Sequence, residues 1–213
     1  MSARLKDPAS GFSHLFGALL SVAGLVVLLR IAIAKRDLWE IVSFSIFGGS
    51  LILLYSASAV YHLLKVSDRA QVVLRKLDHI MIFVLIAGTY TPICLVALRG
   101  PVGWALFAIV WALAIGGVFF KVFYLNAPRW AYTAVYLLMG WVAVFVVMPL
   151  VRAVGWRTVS WLFIGGVFYS IGAVIYGLKK PNLIPGWLGF HEIFHIFILL
   201  GSLSHFYLIY LLA

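Results

Sequence analysis

Seven stretches of the chain contain no Asp, Glu, Lys or Arg: 8–29, 41–64, 79–98, 100–120, 130–151, 158–178 and 193–213. Each runs 20 to 24 residues, which at 1.5 Å rise per residue suffices to cross a hydrocarbon layer about 30 Å thick. The pattern predicts seven spanning helices. The first is too long for a signal-peptide apolar region of about 7 to 15 residues, and more spans follow it, so it reads as a permanent helix. Spans three and four are separated by little more than Arg99, Gly100 and Pro101, which suits a tight turn between antiparallel neighbours. The seventh is expected to begin earlier, near Trp187, because Glu192 interrupts a segment that is apolar on both sides. Between spans two and three, Val66, Ala70, Val73, Leu74 and Leu77 recur at helical spacing beside Arg69, Arg75 and Lys76. That stretch, Lys65 to Asp78, predicts a short interfacial helix lying along the membrane surface. Pro92 predicts a kink in span three. Ile115-Gly-Gly-Val-Phe-Phe120 and Ile164-Gly-Gly-Val-Phe-Tyr169 place small residues where helices can approach closely. No stretch reads as a linker, so residues 1–213 form a single all-α, seven-transmembrane-helix bundle: a polytopic membrane protein.

Composition excludes the alternative of a soluble globular domain, since 65% of residues are hydrophobic and only 10% charged. With one cysteine, Cys94, there is no intrachain disulfide and no thiolate cluster, so any metal chemistry must use His and carboxylates. The net charge of +10 would suggest nucleic acid for a soluble domain. Here the basic residues lie between apolar runs, and anionic lipid headgroups are the simpler partner. Lys and Arg number 10 on the N-terminal side of the predicted bundle and 6 on the other, which predicts a cytoplasmic N-terminus and an outside C-terminus in a plasma membrane. Trp39, Trp104, Trp130, Trp156 and Trp187 fall near span ends, as in interfacial aromatic belts.

Against this background a few polar residues stand out, because charged groups near the bilayer interior cost about 2.5 to 3.5 kcal/mol each and those retained usually mark function. His191 and His195, spaced i, i+4, share one helix face with Cβ atoms about 6 Å apart, close enough to hold one ion. His62 ends span two, with Ser58 on the same face, and Asp78 opens span three. Whatever the orientation, these three helix ends lie on one side of the membrane, so the residues share one depth. His205, far along span seven, fails that test and reads as a packing residue. His79 points about 100° away from Asp78. His14, at the start of span one, reads as a capping or interfacial residue. Three histidines with a carboxylate nearby match catalytic zinc, which keeps a fourth position for water. Asp78 could accept the water proton and Ser58 could hydrogen-bond the water or a polarised carbonyl. An ion pair with Arg75 is the alternative for Asp78. A second alternative takes His191-Glu192-Ile193-Phe194-His195 as H-E-x-x-H, with Glu192 the general base of a metalloprotease; Glu192 could equally pair with Lys179 or Lys180.

Seven spans carrying Ser58-x-x-x-His62, then Asp78, then His191-x-x-x-His195 resemble the hemolysin III family, within the wider progestin and adipoQ receptor group. The Phe12-Ser13-His14-Leu15-Phe16-Gly17 segment and the H-E-I-F-H sequence at span seven are also similar to bacterial members. The resemblance implies zinc held by His62, His191 and His195, with Asp78 contacting it through water and Ser58 alongside. It implies lipid amide hydrolysis as the reaction class, while the family name points to cytolysis and some similar proteins to membrane-lipid homeostasis. Three functions follow: a zinc-dependent hydrolase of a lipid amide or ester that enters from the bilayer, a pore, and a non-catalytic regulator braced by its metal. A pore should show polar stripes along several spans, and the polar residues gather at one end instead.

Overall fold

The computed structural model describes residues 5–124, 128–184 and 188–213. Its helices are α1 (Pro8–Lys35), α2 (Leu38–Leu63), α3 (Asp68–Pro92), α4 (Pro101–Phe123), α5 (Arg129–Gly140), α6 (Val147–Val154), α7 (Trp156–Leu178) and α8 (Phe190–Leu212). Among the described residues seven segments are long and apolar enough to cross a membrane, α5 and α6 together making the fifth. Among the described residues there is no strand beyond an isolated bridge between Ile184 and Leu188. The protein is a multi-pass membrane protein.

The charge-free stretches mark the spans but not their ends. Helix α1 runs past Arg30 to Lys35, and α2 starts at Leu38 because Asp37 caps it, accepting from the backbone N–H groups of Trp39 at 2.8 Å and Glu40 at 3.2 Å. Glu40 is then buried inside the helix and answered by Lys35 Nζ at 3.0 Å. The stretch expected to form a separate surface helix before span three is instead the start of α3 itself. Ser67 caps it, and no Gly or Pro occurs between Asp68 and Gly88, so nothing breaks the hydrogen-bond ladder. The expected start of span seven near Trp187 lies outside the described residues. Helix α8 opens at Phe190, and Glu192 belongs to its first turn. Trp39, Trp104, Trp130 and Trp156 are exposed, as residues of a membrane-interface belt should be.

Two irregular turns interrupt the helices, the first at the proline where the sequence predicts a kink and the second without a local signal. After Pro92 the helix continues as a π-helical turn over Ile93–Ala97, the local adjustment a helix makes where proline removes a donor. The fifth span breaks at a 3-10 segment, Trp141–Val146. There the Tyr90 hydroxyl donates to the Gly140 carbonyl at 2.6 Å and accepts from the Ala143 N–H at 2.8 Å, replacing bonds that no water could supply in hydrocarbon.

Glycines set the closest approaches, one in each of the paired Gly-Gly motifs: a Cβ on Gly117 would meet the Phe83 ring, and one on Gly165 the His205 ring. The tightest backbone contact is at the turn joining the third and fourth spans. A Cβ on Gly103 would fall on the carbonyl oxygens of Cys94 and Leu98, which cannot rotate away as a side chain can. Gly103→Ala is therefore expected to destabilise the bundle by about 1 to 3 kcal/mol, read as a lower thermal midpoint in detergent. Gly49→Ala, with open space around it in the middle of α2, should not lower the midpoint, since alanine is the better helix former.

Helix α1 packs on α2, α2 on α3, and α7 on α8, while α8 also returns to touch α1. That closure brings the starts of α1 and α8 against the end of α2, while Asp78 lies about three turns into α3.

Candidate metal centre

His62, in the last turn of α2, and His195, one turn into α8, are buried, and His191 is half-buried beside them. His62 Nε2 and His191 Nε2 lie 3.2 Å apart, and one nitrogen from each of the three rings falls within 4.8 Å of the others. The hydrogen bonds on the far side of two rings fix which nitrogens these are. His62 Nδ1 is 3.2 Å from Asp7 Oδ2; a carboxylate only accepts, so Nδ1 carries the proton and Nε2 the lone pair. His195 Nδ1 is 3.3 Å from the Ser10 carbonyl oxygen and 3.4 Å from Ser13 Oγ. The Ser13 hydroxyl already donates to that same carbonyl at 2.8 Å, so it too accepts from His195, which leaves Nε2 with the lone pair. The three rings thus present one nitrogen each, from two helices, to a common space. A tetrahedral ion with Zn–N bonds of about 2.0–2.1 Å sets its ligand nitrogens roughly 3.3 Å apart; the His62–His191 separation matches this, and the full set lies within 4.8 Å.

Beside the histidines opens a cavity of about 160 Å³. Asp78 and Ser58 line it together with His191 and His195, and the Ser58 hydroxyl faces the Asp78 carboxylate. From this polar end the lining reaches His205 through largely apolar side chains such as Leu54, Leu85, Phe194 and Ile198. His191 and His205 are 14 residues apart on one helix, or roughly 21 Å. The arrangement is an apolar chamber with a polar end where three histidines could hold a metal ion.

Of the five residues expected at the site, His62, His191 and His195 cluster closely enough to share an ion, and Ser58 and Asp78 line the same cavity as His191 and His195. Among the described residues Asp78 makes no ion pair with Arg75, and Glu192 none with Lys179 or Lys180. Glu192 instead ties down the start of α8. One carboxylate oxygen accepts from the Gly189 N–H at 2.9 Å, the N3-to-N-cap half of a capping box, and the other accepts from the Ser10 hydroxyl at 2.9 Å. Both oxygens thus serve the helix end, a structural role that accounts for Glu192 without the general-base function of the H-E-x-x-H alternative. His14 is neither cap nor interfacial residue. It is buried, its ring stacked on His195 with centroids 3.6 Å apart and an 11° interplanar angle. Parallel rings at that distance cannot aim in-plane lone pairs at one ion, so His14 supports His195 rather than joining it as a ligand. His79 packs on Tyr132 with centroids 5.4 Å apart. His205 is a packing residue, bonded to the Leu162 carbonyl at 3.2 Å.

Sequence reasoning does not single out Asp7, Ser10 or Ser13, nor Lys121, which counts as a loop charge but is buried with Nζ 3.9 Å over the Tyr132 ring. One signal is present for the first group. Ser10, His14, Gly17 and Ser21 recur at i, i+4, i+7 and i+11, a small-polar stripe on a helix otherwise made for lipid, and all four are buried.

Residues 3–206 match the family model described as Haemolysin-III related. The chain is 41% identical over 202 residues to the Hemolysin-3 homolog of Bacillus subtilis, covering 95% of this chain and 92% of that one. It is 38% identical to Hemolysin-3 of Bacillus cereus over 95% of this chain and 89% of that one. Identity to the human Monocyte to macrophage differentiation factor is 26%, over 95% and 82% of the two chains.

Proposed function

Because the chain belongs to the Haemolysin-III related family, whose resemblance implies a zinc-dependent lipid enzyme, we propose that it is a metal-dependent hydrolase of a lipid amide or ester. The observation that carries the reading is the convergence of His62, His191 and His195 at the polar end of an apolar chamber that Asp78 and Ser58 also line. Zinc is the ion proposed, since three imidazoles and no thiolate suit it and three protein ligands leave a position open. When bound, it would supply Lewis-acid polarisation of the scissile carbonyl and a water nucleophile of lowered pKa. Asp78 takes the proton of the attacking water and returns it to the leaving group, and Ser58 holds the Asp78 carboxylate in place by hydrogen bonding. The apolar lining sorts a long acyl chain into the chamber and keeps bulk water from it. With the N-terminus in the cytoplasm, as the charge distribution predicts, the site serves the inner leaflet of a bacterial plasma membrane, and the substrate reaches it from the bilayer beside anionic headgroups.

The test is release of fatty acid from long-chain N-acyl substrates by purified protein in mixed micelles. Activity should vanish on chelation and return when zinc is restored. Full activity after rigorous metal removal would reject the reading. The name Hemolysin-3 carried by a relative suggests a pore instead, and metal-independent conductance in liposomes without turnover would favour it. Stoichiometric metal with no product from any lipid would favour a regulator of membrane-lipid homeostasis.

A further inference from the structure

Asp7 stands immediately before α1, where a short acidic side chain ordinarily accepts from the first-turn N–H groups. It makes no such bond. Its carboxylate turns instead to the outer nitrogen of His62, 3.2 Å away. The backbone at and just before Asp7 is fastened to the end of α2, with the Asp7 N–H donating to the His62 carbonyl at 2.8 Å and the Lys6 N–H to the Leu63 carbonyl at 3.4 Å. Gly11 makes the approach possible, since a Cβ there would collide with the Leu63 side chain. One turn further, the Ser10 carbonyl accepts from the outer nitrogen of His195, and the Ser10 hydroxyl holds Glu192. A single helix end therefore stands behind imidazoles on two other helices and touches both on the side away from their converging lone pairs.

A carboxylate or carbonyl behind a ligating imidazole fixes its tautomer and ring orientation and raises its basicity, and removing it typically costs 10- to 100-fold in metal affinity. We propose that the first turn of α1 is the orienting layer of the metal centre, with Asp7 the positioning residue for His62. The proposal rests on the three-histidine site described above. It differs from a surface tie: Asp7 also sits 3.6 Å from Lys6 Nζ, and a pair of that kind contributes little.

Wild type, Asp7→Ala, Asp7→Asn and Lys6→Ala, each purified in detergent, separate these roles. Zinc affinity is read by competition with a chelator, and ligand geometry by the visible absorption of the cobalt(II)-substituted protein. Asp7→Ala should bind zinc about 10- to 100-fold more weakly and show an altered cobalt spectrum. Asp7→Asn, whose amide oxygen still accepts from His62, should recover much of the affinity. Lys6→Ala should not weaken it. Asp7→Ala also leaves the buried His62 Nδ1–H without its acceptor, so its metal-free thermal midpoint should fall, while that of Asp7→Asn, whose amide oxygen still accepts, should stay near wild type. Wild-type affinity and spectrum in Asp7→Ala would overturn the proposal, as would a weaker affinity with an unaltered cobalt spectrum. A wild type that takes up neither zinc nor cobalt would overturn the metal site itself and this proposal with it.

Discussion

Purified in detergent and supplied with zinc, the wild-type protein is expected to hold close to one ion per chain and the His195→Ala variant close to none. Loss of an orienting partner alone lowers metal affinity by about 10- to 100-fold, and loss of a direct ligand exceeds that. Only His62 Nε2 and His191 Nε2 would remain to share the ion. His195 is also buried and stacked on His14, so alanine opens a void there, and His195→Phe is the informative companion because it keeps a ring against His14 and removes the nitrogens. Both variants should be metal-free by elemental analysis while remaining monodisperse in detergent. Retention of stoichiometric zinc by His195→Phe would place the ion elsewhere and dismantle the centre.

How much of this can be read from the chain depends on which contacts are local. Spans follow from charge-free length. Their ends do not, where a charge is neutralised within the helix, as Glu40 is by Lys35, or where charged residues simply extend a helix beyond the apolar layer, as in the first turns of α3. The break in the fifth span depends on Tyr90, 50 residues from Gly140, and nothing near Gly140 announces it. Ser58, His62, Asp78, His191 and His195 are legible because parity of the spans places their helix ends on one side, whatever the packing. Asp7 and Ser10 are not, since their partners lie 55 and 185 residues away and meet them only when α1 packs on α2 and α8 closes on α1. His14 escapes for the same reason: its position near a helix start suggests water, while the closure buries it under His195.

Metal binding and chemistry should come apart at Asp78. The Asp78→Asn variant keeps the shape of the side chain and its place beside Ser58 but cannot take a proton from water, so turnover of a long-chain amide is expected to fall by roughly 10² to 10⁴. Zinc content should stay at the wild-type level, because the three imidazoles that hold the ion are untouched. Ser58→Ala should produce a smaller loss. A hydrogen bond to a charged group is worth about 1.5 to 3 kcal/mol, which corresponds to roughly 10- to 100-fold in rate, again without loss of zinc. The pair of measurements distinguishes three arrangements that share the same coordinates. Turnover lost with zinc retained identifies Asp78 as the base. Zinc lost together with turnover would make its carboxylate part of the ion's support. Unchanged turnover in Asp78→Asn, with His195→Phe inactive, would require the proton to leave by another route and would remove Asp78 from the chemistry.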